Sequence, residues 1–295
     1  MPDPPIIAHL EEVAESVRAG ECILFLGAGV HRPPSDGSPY VYPEADQPPL
    51  GNALSLYLAE RCGLVATYPK EADKLSNLAR VSQFYEILRS RRQLVEEVWK
   101  KVADKTAPSP VVRALAQLDF PLIITTNYDP LFEKALRLAG KEPEIEVYDP
   151  TGNRESTMDS KDFSVQRPFL FKMHGDISHE DSIVITDEDY IQFVLRMSET
   201  TSPVPETFRY HFKRWSTLFV GYSLMDYNLR LLFKTLRWKV DPALRPDTFS
   251  LDLRPDPLIL EVWENRRQYV KFITEDVWRF VPALYQSVTG KPMPA

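Results

Sequence analysis

The stretch PLIITTNYDPLFE, residues 121–133, decides the fold. Leu122, Ile123 and Ile124 are consecutive apolar residues without helical period, the pattern of a strand buried on both faces. Residues 125–129 switch abruptly to polar side chains. Pro130 stands at what would be the first helical position, with Asp129 placed to cap and Glu133 in the first turn. Phe132, Ala135, Leu136 and Ala139 keep helical spacing until Gly140 ends it. Asn127 and Asp129 therefore fall at the carboxyl end of a buried strand, where open α/β sheets bind ligands.

The same arrangement recurs along the chain. Ile23 to Leu26 form an apolar run that enters Gly27-Ala28-Gly29, where glycines let the backbone pass close to a neighbour or a ligand and leave amides for a phosphate. Arg32 occupies the place of the third glycine of a full dinucleotide fingerprint, so this turn alone fits either use. Residues 168–173 return to strand character and run into His174-Gly175-Asp176. Leu218 to Val220 end at Gly221-Tyr222-Ser223, and Leu229, Leu232, Phe233 and Leu236 then keep helical spacing with Asp226 as N-cap. Ser182 to Thr186 and Thr248 to Leu253 read as further strands, with a brief one at 145–148. Parallel strands ending in four polar corners predict an α/β, doubly wound, mostly parallel sheet whose corners meet at one edge.

Between these strands, Leu10, Val13, Ala14 and Val17 make a helical stripe that stops at Gly20. Residues 31–50 form an aperiodic loop, a lid or a surface excursion. Residues 51–62 and 75–105 read as helices, so 51–106 is a helical insert; 107–295 completes the core and C-terminal helices of a single domain spanning 1–295. Arg89, Arg91 and Arg92 in the insert read as a solvated basic face. Glu261 to Phe272 and Glu275 to Ser287 carry helical or mixed patterns.

Composition narrows the function. A net charge of −7 argues against a chain that wraps nucleic acid. The two cysteines, Cys22 and Cys62, form no Cys-x-x-Cys pair, so neither a zinc knuckle nor a disulfide framework is expected and a reducing cytoplasm fits; no metal is expected. The first residues lack the pattern of a signal peptide, and no apolar run approaches the roughly 20 residues that cross a bilayer.

Taken in order, GAG at 27–29, TTNYD at 125–129, KMHGD at 172–176 and GYSLMDYNLR at 221–230 resemble the sirtuin-like domain of bacterial antiphage defence proteins. The similarity continues through TDEDY at 186–190 and the helical insert, and covers most of residues 20–240. The resemblance implies a Rossmann-like fold with a helical subdomain, and hydrolysis of NAD+ to nicotinamide and ADP-ribose as a way of depleting an infected cell. It places Asn127 and His174 in catalysis. Asp129 serves either as acceptor for the carboxamide or as cap of its own helix. Gly27, Ala28, Gly29 and Thr126 then meet the pyrophosphate side, and Gly221, Ser223, Asp226 and Asn228 the adenosine half. Protein-deacylating sirtuins carry four zinc-binding cysteines and a serine after the GAG run. This chain lacks those cysteines and has His31 at or beside the serine position, so His31 receives no carried-over role. Binding of NAD or ADP-ribose without cleavage is the alternative from another class; protein deacylation is a third reading. Compact relatives of this kind resemble those encoded beside a DNA-translocating hexameric ATPase, which implies a homo-oligomer with such a partner.

Overall fold

A computed structural model describes residues 7–152, 156–197, 204–222, 245–265 and 270–294. Its centre is a parallel sheet of seven strands among the described residues. These are β1 (Cys22–Leu26), β2 (Leu122–Thr125), β3 (Glu144–Val147), β4 (Phe169–Lys172), β5 (Ser216–Val220), β6 (Thr248–Leu251) and β7 (Val270–Ile273). Their order is β3-β4-β2-β1-β5-β6-β7, and every neighbouring pair is parallel. All strand carboxyl ends therefore share one edge, the geometry expected of a Rossmann-like α/β fold.

Alternation along each strand builds two cores from one sheet. Leu24, Leu26, Ile123, Leu170, Leu218 and Val220 point to one face, against helices Leu10–Arg18, Pro110–Gln117, Leu131–Leu138 and Val277–Thr289. Ile23, Phe25, Leu122, Ile124, Phe169 and Phe219 point to the other, with Phe193, Phe208 and Trp263 from helices Asp187–Met197, Glu206–His211 and Pro257–Asn265. Burying each such side chain contributes roughly 2 kcal/mol, which explains why these runs are continuously apolar rather than alternating.

The helical insert has its own apolar cluster. Leu54, Leu58, Val81, Leu94 and Val98 come from helices Gly51–Arg61, Leu78–Leu88 and Arg91–Val102. Ile177, Ile183 and Ile185 of the segment after β4 join that cluster. Residues 182–186 are thus a correction: they form no strand. Their apolar run is divided between two cores, and the backbone partners are loop groups, with the Val184 N–H donating to His174 O at 3.0 Å. Arg91 is likewise not solvated surface. It is mostly buried, donating to Asp189 at 2.7 Å and to the Ile183 carbonyl, so it ties the insert to helix Asp187–Met197. Strand β7 lies where the sequence reads as helical or mixed; its four residues are too few, and too unevenly buried, to impose a period. The helix expected at 229–236 lies outside the described residues.

Candidate active site

Four corners meet at the carboxyl edge, as the strand order requires. After β1 the chain makes a short 3-10 turn, Ala28–His31, against the turn after β5. The Gly27 N–H donates to Val220 O at 3.0 Å and the Gly29 N–H to Gly221 O at 2.8 Å. Gly221 has φ +69°, and a Cβ there would lie 2.0 Å from Val30 N; one on Gly27 would lie 2.5 Å from Gly221 O. The glycines are thus required first by close approach of two strand-end turns. The amides of Gly27 and Gly29 serve that contact.

Beside this seam lie two adjoining lobes that share Ala28, Gly51 and Tyr222. The smaller, about 160 Å³, is lined by Thr126, Asn127, Asp129, His174 and His31, with Pro48 and Pro49 from the 31–50 loop. The larger, about 440 Å³ and more open, is lined by Gly29 and Gly221 and by Asp252, Arg254, Glu275 and Asp276 beyond β6 and β7. Ala28 lines both. Ser223, Asp226 and Asn228 lie outside the described residues.

The loop that supplies the two prolines is anchored rather than loose. The Tyr42 hydroxyl donates to the carbonyls of Asp46 and Ala107, at 3.1 and 3.0 Å, and Trp278 Nε1 donates to Arg32 O at 2.9 Å.

Four polar side chains of the small lobe are buried. Asn127, Asp129, His174 and His31 are at most 9% exposed. The Asn127 N–H donates to Thr125 Oγ1 at 3.0 Å, and Thr125 Oγ1 in turn donates to Leu26 O, so the amide residue is fixed to two strands. Asp129 uses its oxygens separately. Oδ1 accepts the N–H of Leu131, the first residue of the following helix, at 2.9 Å, although Pro130 and not Asp129 holds the N-cap position, and Oδ2 lies 3.3 Å from His31 Nε2. Burial pushes the Asp129 carboxyl up, but His31, Lys172 and the Leu131 N–H together hold it below its usual range. His31 Nε2 is also 3.3 Å from Asn127 Nδ2. The Oδ1 of Asn127 and the Nδ1 of His31 are buried without a protein partner among the described residues.

His174 is set by packing. Its ring stands edge-on to Tyr190 and Phe193, with centroids 5.4 and 5.2 Å away, and its carbonyl receives the Val184 N–H. Beneath the lobe, the fully buried Lys172 Nζ reaches Glu133 at 2.7 Å, Asp176 at 2.6 Å, Asp129 O at 2.8 Å and Tyr128 O at 3.3 Å. Desolvation opposes the Lys172 charge, but Glu133, Asp176 and Asp129 more than offset it and raise its pKa. Among the described residues no group of three or more His, Cys, Asp or Glu could hold a metal ion, and no helix is long and apolar enough to cross a membrane.

The structure brings Asn127, Asp129, His174, Thr126 and Ala28 into one lobe and places Gly29 and Gly221 along the other. Reading the sequence alone missed His31, Lys172, Tyr190 and the Asp252–Arg254 corner. For Asp252 a signal existed, because it directly follows a strand whose polar end was not pursued. His31 was marked by its place at or beside the serine position after the GAG run, but its partners Asn127 and Asp129 lie about a hundred residues away, so residue order alone assigned it no role.

Known proteins resemble this chain over most of its length. The chain is 28% identical over 241 residues to the protein named NAD(+) hydrolase ThsA of Enterococcus faecium, covering 80% of this chain and 44% of that one. Its namesake from Acinetobacter baumannii is 23% identical over 304 residues, covering 96% and 56%. Defense-associated sirtuin 2 of Bacillus subtilis is 23% identical over 272 residues, covering 88% and 23%. The chain thus spans between about a quarter and a little over half the length of these relatives. Residues 121–271, just over half of the chain, match the SIR2-like domain, and they include the Asn127, Asp129 and His174 corners of the small lobe. The chain belongs to the SIR2-like domain family.

Proposed function

We propose that this chain hydrolyses NAD+ to nicotinamide and ADP-ribose and acts as an effector of antiphage defence by depleting that cofactor. The observation that carries the reading is the junction of two lobes: Asn127 and His174 line a small pocket that adjoins a larger cleft across Ala28. Nicotinamide and its ribose fit the chemistry of the first, and the adenosine half that of the second, with Gly29 and Gly221 along the way. Relatives named as NAD(+) hydrolases and as a defence-associated sirtuin support it. In this proposal residues 1–295 act as one sirtuin-like domain carrying the 51–106 insert, in the cytoplasm where NAD+ resides.

Nicotinamide leaves as a neutral base from a cationic pyridinium, so its departure needs no proton, and the transition state resembles an oxocarbenium ion. The pair of electrons of the C–N bond goes to the pyridine nitrogen as a water oxygen bonds to the ribose carbon. The Asn127 carboxamide orients a ribose hydroxyl, the nicotinamide amide or the water. His174 takes the proton released by the water or a ribose hydroxyl and passes it to solvent. The burial of Asn127 and His174 strengthens each of these contacts.

A homo-oligomer working with a separate hexameric ATPase or another sensor completes the proposal, because an unregulated hydrolase would exhaust its host. Incubating the purified chain with NAD+, with and without such a partner, and following nicotinamide release tests the activity. Release that disappears in Asn127→Ala and His174→Ala, both still folded, is expected. Retention of NAD+ on the protein without cleavage would instead make it a binding module, and activity confined to acyl-lysine peptides would make it a deacylase.

A further inference from the structure

His31 stands outside every role considered above, yet it is the residue that touches both acidic and amide groups of the small lobe. Its Nε2 is 3.3 Å from Asp129 Oδ2 and 3.3 Å from Asn127 Nδ2, and the ring is 4% exposed. One nitrogen bears at most one hydrogen. Asp129 is held ionised by its surroundings, and an ionised carboxylate can only accept, so Nε2 must donate to it. A donor at Nε2 cannot also receive the N–H of Asn127.

The two ends of a carboxamide have the same shape, so the hydrogen-bond network decides which end is which. With Nδ2 at the imidazole, Asn127 sets a donor against a donor and buries Oδ1 without a protein partner. Turning the amide over removes the conflict. Oδ1 then shares the Nε2 hydrogen with Asp129, and the NH2 becomes the end that has no protein partner in a residue lining the small lobe.

We propose that His31 is a positioning residue: anchored on Asp129, its Nε2–H turns the Asn127 carboxamide so that the NH2, a donor pair, is presented to an oxygen of the nicotinamide riboside half of NAD+. This rests on the hydrolase reading for its ligand, while the amide orientation rests on the two 3.3 Å contacts of Nε2 and on an ionised Asp129. Asn127 is thereby a donor to the substrate and not an acceptor for the attacking water. The proton on that water falls to His174.

Two measurements on the full chain test this separately. In protein labelled with [15N]histidine, long-range 15N–1H correlation reports which ring nitrogens carry hydrogen, and His31→Gln identifies the His31 signals by their loss. A protonated Nε2 is expected; a bare Nε2 with hydrogen only on Nδ1 overturns the proposal, whether or not NAD+ is cleaved. In turnover, His31→Leu is expected to lower kcat about 100-fold with KM changed less than about threefold, because the amide loses its orientation while the cleft is intact. His31→Gln, whose NH2 can donate to the same two oxygens, should stay within about tenfold of the parent kcat. A structural role alone would lower the melting temperature of both variants without separating kcat from KM. Equal kcat loss in both, or wild-type kcat in folded His31→Leu, overturns the positioning role. Absence of nicotinamide release from the unmodified chain with its partner overturns the hydrolase reading, and the labelling result still decides the amide.

Discussion

Two buried polar clusters share Asp129 and differ in how they are satisfied. On the inner side, Lys172 Nζ meets two carboxylates and two backbone carbonyls, among them that of Asp129. On the outer side, the Asp129 carboxylate meets His31, which meets Asn127, and each of the latter two keeps a buried polar atom without a protein partner among the described residues. Glu133 Oε2 of the inner cluster lacks one too, but of the three residues only the outer pair lines the small lobe. A cation ringed by four oxygens holds a corner rigid. Open valences that line a cavity are a place for a ligand. The inner cluster therefore reads as scaffold and the outer as chemistry, with one residue fixing the distance between them.

Substitutions should separate the two. The largest effect is expected for Asn127→Ala, at least about 1000-fold in kcat/KM for nicotinamide release, or about 4 kcal/mol, with an unchanged urea midpoint. Lys172→Met should show the opposite profile. It leaves Glu133 and Asp176 facing each other without their cation, and a loss of about 3 kcal/mol in urea unfolding is expected, with activity falling only as folded protein is lost. Full stability in Lys172→Met would erase the contrast between the clusters. Tyr190→Leu tests packing on His174: it removes one edge-on ring, and kcat should drop about tenfold while nucleotide affinity measured by calorimetry is retained.

The smallest effect concerns acid. Asp129 and Asp176 both have folded-state pKa values below the usual aspartate range; burial opposes the shift, and His31 and Lys172 respectively lead the groups that outweigh it. Depressed carboxyls stabilise the fold above the unfolded value near about 4, and that contribution fades as pH falls through their folded values. Glu133 acts in the other sense, because burial raises its pKa and the folded state takes up its proton first. Stability should fall as the pH drops below the unfolded aspartate value of about 4, and Asp176→Asn should make that fall shallower in urea titrations. An unchanged slope would detach Asp176 from the inner cluster.

Much of this was legible in residue order because the relevant forces are local. Three or four apolar residues in a row followed by a polar corner and a helical stripe can satisfy their backbone and bury their side chains in few ways, so β1, β2, β4 and β5 stood out, and Asn127, Asp129 and His174 with them. Residues 182–186 misled for the same reason: an apolar run of strand length says that side chains are buried, not that a neighbouring strand is available. Arg91 misled because a basic run on a helix is solvated unless another element brings acceptors, here Asp189 and the Ile183 carbonyl.

By itself, then, the order of residues determined a parallel α/β sheet and the strand ends that carry its functional groups, since both follow from hydrophobic period and capping over a dozen residues. Only the tertiary structure decided which groups face one another. The Lys172 cluster, the edge-on rings that hold His174 and the Nε2 of His31 between Asp129 and Asn127 depend on contacts between segments far apart in the chain. Buried polar geometry depends on placing such segments to within a few tenths of an ångström, and no local pattern encodes that.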